Sequence, residues 1–319
     1  MQTSTRLKRD AKYTSMPFYI RIWRDIVHSP GLYIMLLPVL AFYILFCYKP
    51  MYGALIAFMD FQPGVPIFQN SWVGFSNFVD FFQDRSFFRV IKNTLVISIS
   101  SIISGFPVPI ILALLINELR SRLYSRLVQT VSYLPHFISL VVICGLIRDF
   151  TGGNGIVTRF IQILGSDIGT SLLMKPSYFV PVYVISGIWQ EAGYGSIIYL
   201  AALTGISHEL YEAATIDGAS RWKQTIHITL PGILPTIVIM LILRMGNMMN
   251  VGFEKIILLY NPQIYETADV ISSFVYRKGL QEFNFSFSTA VGLFNSAINF
   301  AILLAANSIS KRVNETSLW

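Results

Sequence analysis

Glu212-Ala213-Ala214-Thr215-Ile216-Asp217-Gly218, followed after nine further residues by Ile228-Thr229-Leu230-Pro231, lies between two long apolar stretches of the 319-residue chain. A segment bounded in that way faces water, so its residue types need a reason at a surface. Ala213, Ala214, Gly218 and Ala219 are small, and small residues let a short helix approach another protein closely. Glu212 and Asp217 add charge for partner contacts. Gly218 takes backbone angles closed to other residues, which suits a helix end. Pro231 disfavours helix at the residue before it, so a new span is predicted to start there. The spacing predicts helix, turn and helix start over about 205–232. The competing reading is an ordinary connecting loop with a chance Glu-Ala-Ala.

Hydrophobic residues make up 54% of the chain and charged residues 13%, with a mean hydropathy of +0.57. Soluble domains carry about a quarter charged residues, so an all-α integral membrane protein is expected. Stretches that reach the roughly 20 residues needed to cross a bilayer are read at 32–58, 90–116, 127–147, 178–204, 233–253 and 289–309. Six spans put both termini on one side. The leading segment carries Arg6, Lys8, Arg9, Lys12, Arg21 and Arg24 against Asp10 and Asp25, which makes it cytoplasmic by the positive-inside rule. Arg120, Arg122 and Arg126, the Glu212 loop, and Lys311 with Arg312 then face the same side. Topology accounts for the net charge of +7. No basic stripe with interleaved aromatics points to nucleic acid.

The expected organisation is a basic segment at 1–30, a first span with an aromatic-rich outer loop at 31–88, a core at 89–310 and a tail at 311–319. The outer loop holds Phe61, Phe68, Trp72, Phe75, Phe78, Phe81 and Phe82, a pattern of the membrane interface. The first span, with Pro38, Lys49 and Pro50, does not read as a cleavable signal. Cys47 and Cys144, without C-x-x-C spacing, are expected to be inert core thiols. A second outer segment, 255–288, mixes Glu266, Asp269, Arg277, Lys278 and Glu282 with apolar residues at helical spacing.

A charge at the bilayer centre costs a few kcal/mol even on lenient scales, so intramembrane ionisable residues should face a partner or a watery cavity. Glu191 lies near the middle of the fourth predicted span and Arg244 near the middle of the fifth, and the two are candidates for an ion pair. Arg244, Asn247, Val251 and Glu254 fall at intervals of three and four, which predicts a polar stripe on one helix face. Two readings stay open: Gln190, Glu191, Tyr194, Arg244, Asn247, Asn250 and Glu254 line a translocation path for a polyhydroxylated ligand, or they lock two spans together. Asn295 with Asn299, and Ser98, Ser100, Ser101 and Ser104, read as glue between helices. His136 reads as a satisfied buried histidine, and Pro107, Pro109 and Pro135 as kinks. Close helix packing accounts for Gly193 and Gly195.

Catalytic constellations are absent from the sequence. There is no H-E-x-x-H, no G-x-S-x-G with triad partners and no G-x-x-x-x-G-K-[ST]. No metal or cofactor site is expected on this chain.

The E-A-A, three residues, Gly, nine residues, I-x-L-P pattern resembles the docking loop of permease subunits of binding-protein-dependent ABC importers. The likeness covers about 90–310. Tyr48-Lys49-Pro50-Met51-Tyr52-Gly53, Trp72-Val73-Gly74 and Tyr133-Leu134-Pro135-His136-Phe137 make the chain similar to the carbohydrate branch, in its polysaccharide-derived oligosaccharide subgroup. The resemblance implies a type I importer permease with six transmembrane helices in a bacterial cytoplasmic membrane. It implies a heterodimer with a second homologous permease, an ABC ATPase dimer that binds ATP and Mg, and an extracytoplasmic solute-binding protein. It further implies that Glu212, Ala213, Ala214, Asp217, Gly218, Ile228, Leu230 and Pro231 form the coupling loop. The substrate expected is a sugar, including uronic-acid oligosaccharides such as alginate or pectin fragments. A secondary transporter driven by an ion gradient is the alternative, although it has no use for the Glu212 loop.

Overall fold

A computed structural model describes residues 27–165 and 169–314, together with 17, 19, 20 and 23. Arg6, Lys8, Arg9, Asp10, Lys12, Arg21, Arg24 and Asp25 lie outside the described residues, as do 315–319 of the tail. The described chain is almost wholly helical and divides into two compact units between Leu55 and Ile56.

From the first unit, α1 (Pro30–Phe42) continues through a π-helical stretch, Tyr43–Tyr48, into a 3₁₀ stretch, Lys49–Phe58, whose last three residues belong to the second unit. The widened π turn falls just before Pro50, whose ring would crowd the carbonyl four residues back in a regular helix. Cys47 is exposed here, contrary to the expected core thiol, whereas Cys144 of the second unit is buried; both are free.

The second unit opens on a short ribbon, β1 (Met59–Asp60) against β2 (Ser71–Trp72), antiparallel with Met59 opposite Trp72. Its helices are α2 (Ser76–Gln83), α3 (Phe87–Gly105), α4 (Pro107–Asn117), α5 (Arg122–Tyr133), α6 (Leu140–Thr151), α7 (Ile156–Ile163) and α8 (Pro176–Leu203). Then come α9 (His208–Ile216), α10 (Arg221–Gln224), α11 (Leu230–Gly246), α12 (Phe253–Leu259), α13 (Tyr265–Ala268), α14 (Ile271–Tyr276) and α15 (Phe285–Asn314). The outer loop's aromatics pack on one another and on α15: Phe58 stacks on Trp72 at 5.6 Å, and Phe81 lies 5.4 Å from Phe294.

Five helical runs among the described residues are long and apolar enough to cross a membrane: Pro30–Phe58, Phe87–Asn117, Leu140–Ile163, Arg221–Gly246 and Phe285–Arg312. The expected span at 178–204 is present as the 28-residue α8, about 42 Å long at 1.5 Å per residue. Its midsection of Gln190, Glu191, Gly193, Tyr194, Gly195 and Ser196 sets it apart from those apolar runs.

Two predicted spans are corrected. The third, 127–147, is no single helix: α5 ends at Tyr133, a 3₁₀ turn covers Leu134–Phe137, Ile138 is extended, and α6 starts at Leu140. Pro135, which has no N–H to donate, sits in that break. The fifth, 233–253, is shifted toward the N-terminus. Helix begins at Arg221, passes through a π-helical stretch at Thr225–Thr229 and ends at Gly246. Pro231 therefore does not open the span. The π turn before it again makes room for the ring, as before Pro50. The kink expected at Pro107 is present, between α3 and α4.

The core has three main centres. Ile97, Ile143, Cys144, Phe179, Ile256 and Leu259 pack α3, α6, α8 and α12 together. Phe81, Val90, Ile271, Phe274, Phe287 and Val291 join α2, α3, α14 and α15. Ile110, Ala113, Tyr199, Leu203 and Ile233 join α4, α8 and α11. The segment after α12 is not one amphipathic helix but several short ones. Asp269, fully buried within it, accepts from Arg277 at 2.7 Å and from Arg89 at 3.2 Å, which ties it to the start of α3.

Candidate functional site

Two features stand out: an exposed elbow and a polar cavity. The elbow starts at Ser207, whose hydroxyl accepts from Glu209 N–H and caps α9. Gly218, at φ +75°, ends that helix. Ala219 N–H donates to Ala214 O at 2.8 Å and Gly218 N–H to Thr215 O at 3.1 Å, the paired bonds of a Schellman motif. Ser220 then caps α10. Tyr211 and Thr229 hydroxyls meet at 3.0 Å, and Gln224 Nε2 donates to Thr215 Oγ1 at 3.1 Å, so α9 is fastened to the base of the α10–α11 run. Arg221 pairs with Glu118 at 3.1 Å, linking the elbow to the end of α4.

Of the sequence-predicted elbow residues, Glu212, Ala213, Asp217 and Gly218 are exposed, and Ala214, Ile228 and Leu230 are half-buried. Pro231 lies one turn into α11 and is exposed. Glu212 and Asp217 form no ion pair among the described residues. Beside them Ile216 is 86% and Trp222 73% exposed. An elbow that presents two unpaired carboxylates and two large apolar side chains is a surface suited to a protein partner.

The cavity, of about 800 Å³, is walled by α3, α4, α8, α11, the turn 247–252 and α12. Gln190, Glu191, Arg244, Asn247, Asn250 and Glu254 all line it, with Ser98, Ser101, Tyr183 and Lys255. Tyr194 does not. Its ring stacks on His136 at 3.8 Å, with the planes 2° apart. Glu191 does not pair with Arg244 either: its Oε2 lies 3.1 Å from Nδ1 of His136. The break after α5 carries His136 to α8, a contact no helical spacing reports. Arg244 is exposed in the chain and forms no ion pair among the described residues.

The predicted stripe on one helix face is also corrected. Arg244 is on α11, Asn247 caps its end, Asn250 sits in the turn and Glu254 is on α12. They share a cavity because the chain turns. The turn survives in an apolar setting because its backbone groups are met: Asn299 Oδ1 accepts from Met249 N–H at 2.9 Å, and Ser98 Oγ donates to Met248 O. Asn295 Nδ2 donates to Asn250 Oδ1 at 2.8 Å. Three of the expected glue residues, Ser98, Asn295 and Asn299, thus bond to an opened turn rather than to an intact helix.

Lys255 is the residue that sequence reasoning missed. It is 7% exposed, donates to Tyr183 O at 3.2 Å and lies 4.9 Å from the centre of the Tyr183 ring. Burial pushes its pKa down to about 8, with Cys144 and Glu191 pulling the other way. The signal was a cation beside the run Ile256-Ile257-Leu258-Leu259, hidden by a span drawn through to 253.

A family model described as binding-protein-dependent transport system inner membrane component matches residues 105–315, and so takes in the elbow and all of the cavity wall except its part on α3 before Gly105. The chain belongs to that family. Among family relatives, the polygalacturonan/rhamnogalacturonan transport system permease protein YteP of Bacillus subtilis is 40% identical over 300 residues, 94% of this chain and 93% of that one. The crystal structure of a bacterial ABC transporter involved in the import of the acidic polysaccharide alginate contains a chain that is 47% identical. The match has a TM-score of 0.84 over 92% of this chain and 99% of that one. The bacterial alginate ABC transporter in complex with an alginate pentasaccharide-bound periplasmic protein gives 46% identity and the same TM-score over 93% and 100%. The fold is that of a type I permease of the inner membrane, spanning it several times.

Proposed function

We propose that this chain forms one half of the transmembrane pathway of an ATP-driven importer for acidic oligosaccharides derived from plant or algal polysaccharides. The observation that carries this reading is near full-length likeness to permeases of two acidic polysaccharide transporters, in a chain whose cavity is lined by Arg244 and Lys255. The chain supplies the path and not the chemistry. A second homologous permease completes the pore, and an ABC ATPase dimer binds ATP and Mg. An extracytoplasmic solute-binding protein delivers the sugar, and both termini lie in the cytoplasm.

In this mechanism α9 seats against the ATPase through Glu212, Asp217, Ile216 and Trp222. When ATP closes the ATPase dimer, α9 moves with it. Its fastening to α11 through Tyr211–Thr229 and Gln224–Thr215 passes the motion to a wall of the cavity. The cavity opens outward to receive the sugar, and hydrolysis returns it inward. Gln190, Asn247 and Asn250 offer hydrogen bonds to hydroxyls on the way.

The test is purification from membranes followed by uptake. The chain should bring an ATPase and a second permease with it. Proteoliposomes supplied with the binding protein should take up tri-galacturonate or tri-mannuronate only when ATP is enclosed, with ion gradients clamped. Uptake that follows an ion gradient without ATP would favour the secondary-transporter alternative and sink the proposal.

A further inference from the structure

Lys255 is an unusual wall for a cavity. It is 7% exposed on the helix that gives Ile256 and Leu259 to the core, so the ammonium is not free in open water as that of an exposed lysine is. Its polar partners are one carbonyl and one aromatic face, both from Tyr183. No carboxylate pairs with it among the described residues. A buried ammonium without an anion is costly, and the lowered pKa expresses that cost.

The open side of Lys255 is the cavity that it lines. Gly187 of α8 lies against the ammonium: a Cβ built there would stand at van der Waals contact, 3.5 Å from Nζ. One turn further along α8, Glu191 is held by His136. The neighbouring Glu254 is exposed, so water screens it. The cavity wall therefore holds one desolvated cation with no carboxylate paired to it among the described residues. An apolar residue would have packed between Tyr183 and Gly187 at lower cost, so the charge calls for a role.

We infer that Lys255 is a specificity-determining residue, whose ammonium receives a carboxylate of the passing sugar from the cavity it lines. The inference rests on the acidic-oligosaccharide reading and names the group that enforces it. A charge-assisted bond to a uronate carboxylate replaces the missing counter-ion, so an acidic unit gains where a neutral sugar leaves the ammonium unpaired. The site discriminates by what it denies the neutral ligand.

The experiment uses the whole transporter in proteoliposomes with its binding protein in saturating amount. Initial uptake of tri-galacturonate is compared with that of the same trisaccharide reduced at its carboxyl groups. The wild type should prefer the acidic probe. Lys255→Met, similar in length and apolar, should raise KM for the acidic probe about tenfold or more and remove the preference, leaving maximal rates within about twofold. Lys255→Arg should keep the preference. If Lys255→Met retains the preference, or loses acidic and neutral uptake together at normal membrane abundance, the inference is overturned. A wild type without preference for the acidic probe overturns the substrate reading first, and the inference with it.

Discussion

Nδ1 of His136 stands 3.1 Å from Oε2 of Glu191, and this bond joins the helical break at Pro135 to the middle of α8. It removes Glu191 from the reach of Arg244 and leaves the arginine available to the cavity. Replacing Glu191 with Gln preserves a partner for the ring nitrogen and should leave stability near wild type. Replacing it with Ala should cost about 1 kcal/mol, as for a lost hydrogen bond of a part-exposed pair. Thermal unfolding of the purified complex, with a fall of about 2 °C for Ala and none for Gln, checks this.

Gly218 has φ +75° and nothing within 4 Å of where a Cβ would stand, so a substitution there is opposed by backbone strain rather than by crowding. Gly218→Val should strain the elbow by about 1–2 kcal/mol and pull α9 out of register. Gly218→Asn, which tolerates that conformation, should be mild. The expected result for Val is normal abundance in the membrane with ATP hydrolysis no longer raised by sugar-loaded binding protein. Glu212→Lys should give the same uncoupling. Normal coupled uptake by both variants would take the elbow out of the mechanism.

Gly193 is a case of crowding. A Cβ there would lie 2.0 Å from the carbonyl oxygen of Ser132, so α5 and α8 touch through backbone. Gly193→Ala should destabilise the complex by more than about 2 kcal/mol, since backbone has to move. Gly195→Ala, whose Cβ would meet the Pro109 ring at 3.3 Å, should cost much less. Melting curves of the two variants side by side test the contrast.

Asn299→Leu removes the acceptor for Met249 N–H in an apolar setting. The unsatisfied donor should cost about 1–3 kcal/mol. Because the same turn carries Asn247 and Asn250 on the cavity wall, uptake should fall more than stability alone explains. Assay at a temperature where the variant remains folded separates the two effects.

Lys255 titrates near 8, and the groups that act on it are Tyr183 and Glu191 of α8 and Cys144 of α6. A lysine with a lowered pKa is charged below that value and neutral above it. Affinity for an acidic oligosaccharide should therefore decline as pH rises through about 8, while uptake of a carboxyl-reduced sugar stays level. In Lys255→Arg the decline should vanish, because arginine keeps its proton. KM measured between pH 6.5 and 9.5 for both probes gives the answer.

The Glu212 to Pro231 spacing was enough to show a helix with a glycine end at a surface, since capping and positive φ depend on residues next to one another. Hydropathy likewise placed most of the membrane-crossing runs, because each depends on its own composition. Spacing failed where a proline's consequence is decided by the hydrogen-bond ladder around it. Pro231 was accommodated by a π turn, whereas Pro135 sits in a true break. It failed again at Asn247 to Glu254, where helical intervals suggested one face but the helix stops at Gly246.

Partners in space were beyond the sequence by itself. That His136 takes Glu191, that Asn299 and Ser98 hold an opened turn, and that Lys255 is buried without a counter-ion all depend on residues tens to hundreds of positions apart. Local sequence determined which segments are helical, which are apolar and where the elbow lies. The tertiary structure decided which charges are paired, because pairing within a bilayer is settled by whichever neighbour the packed helices bring within about 3 Å.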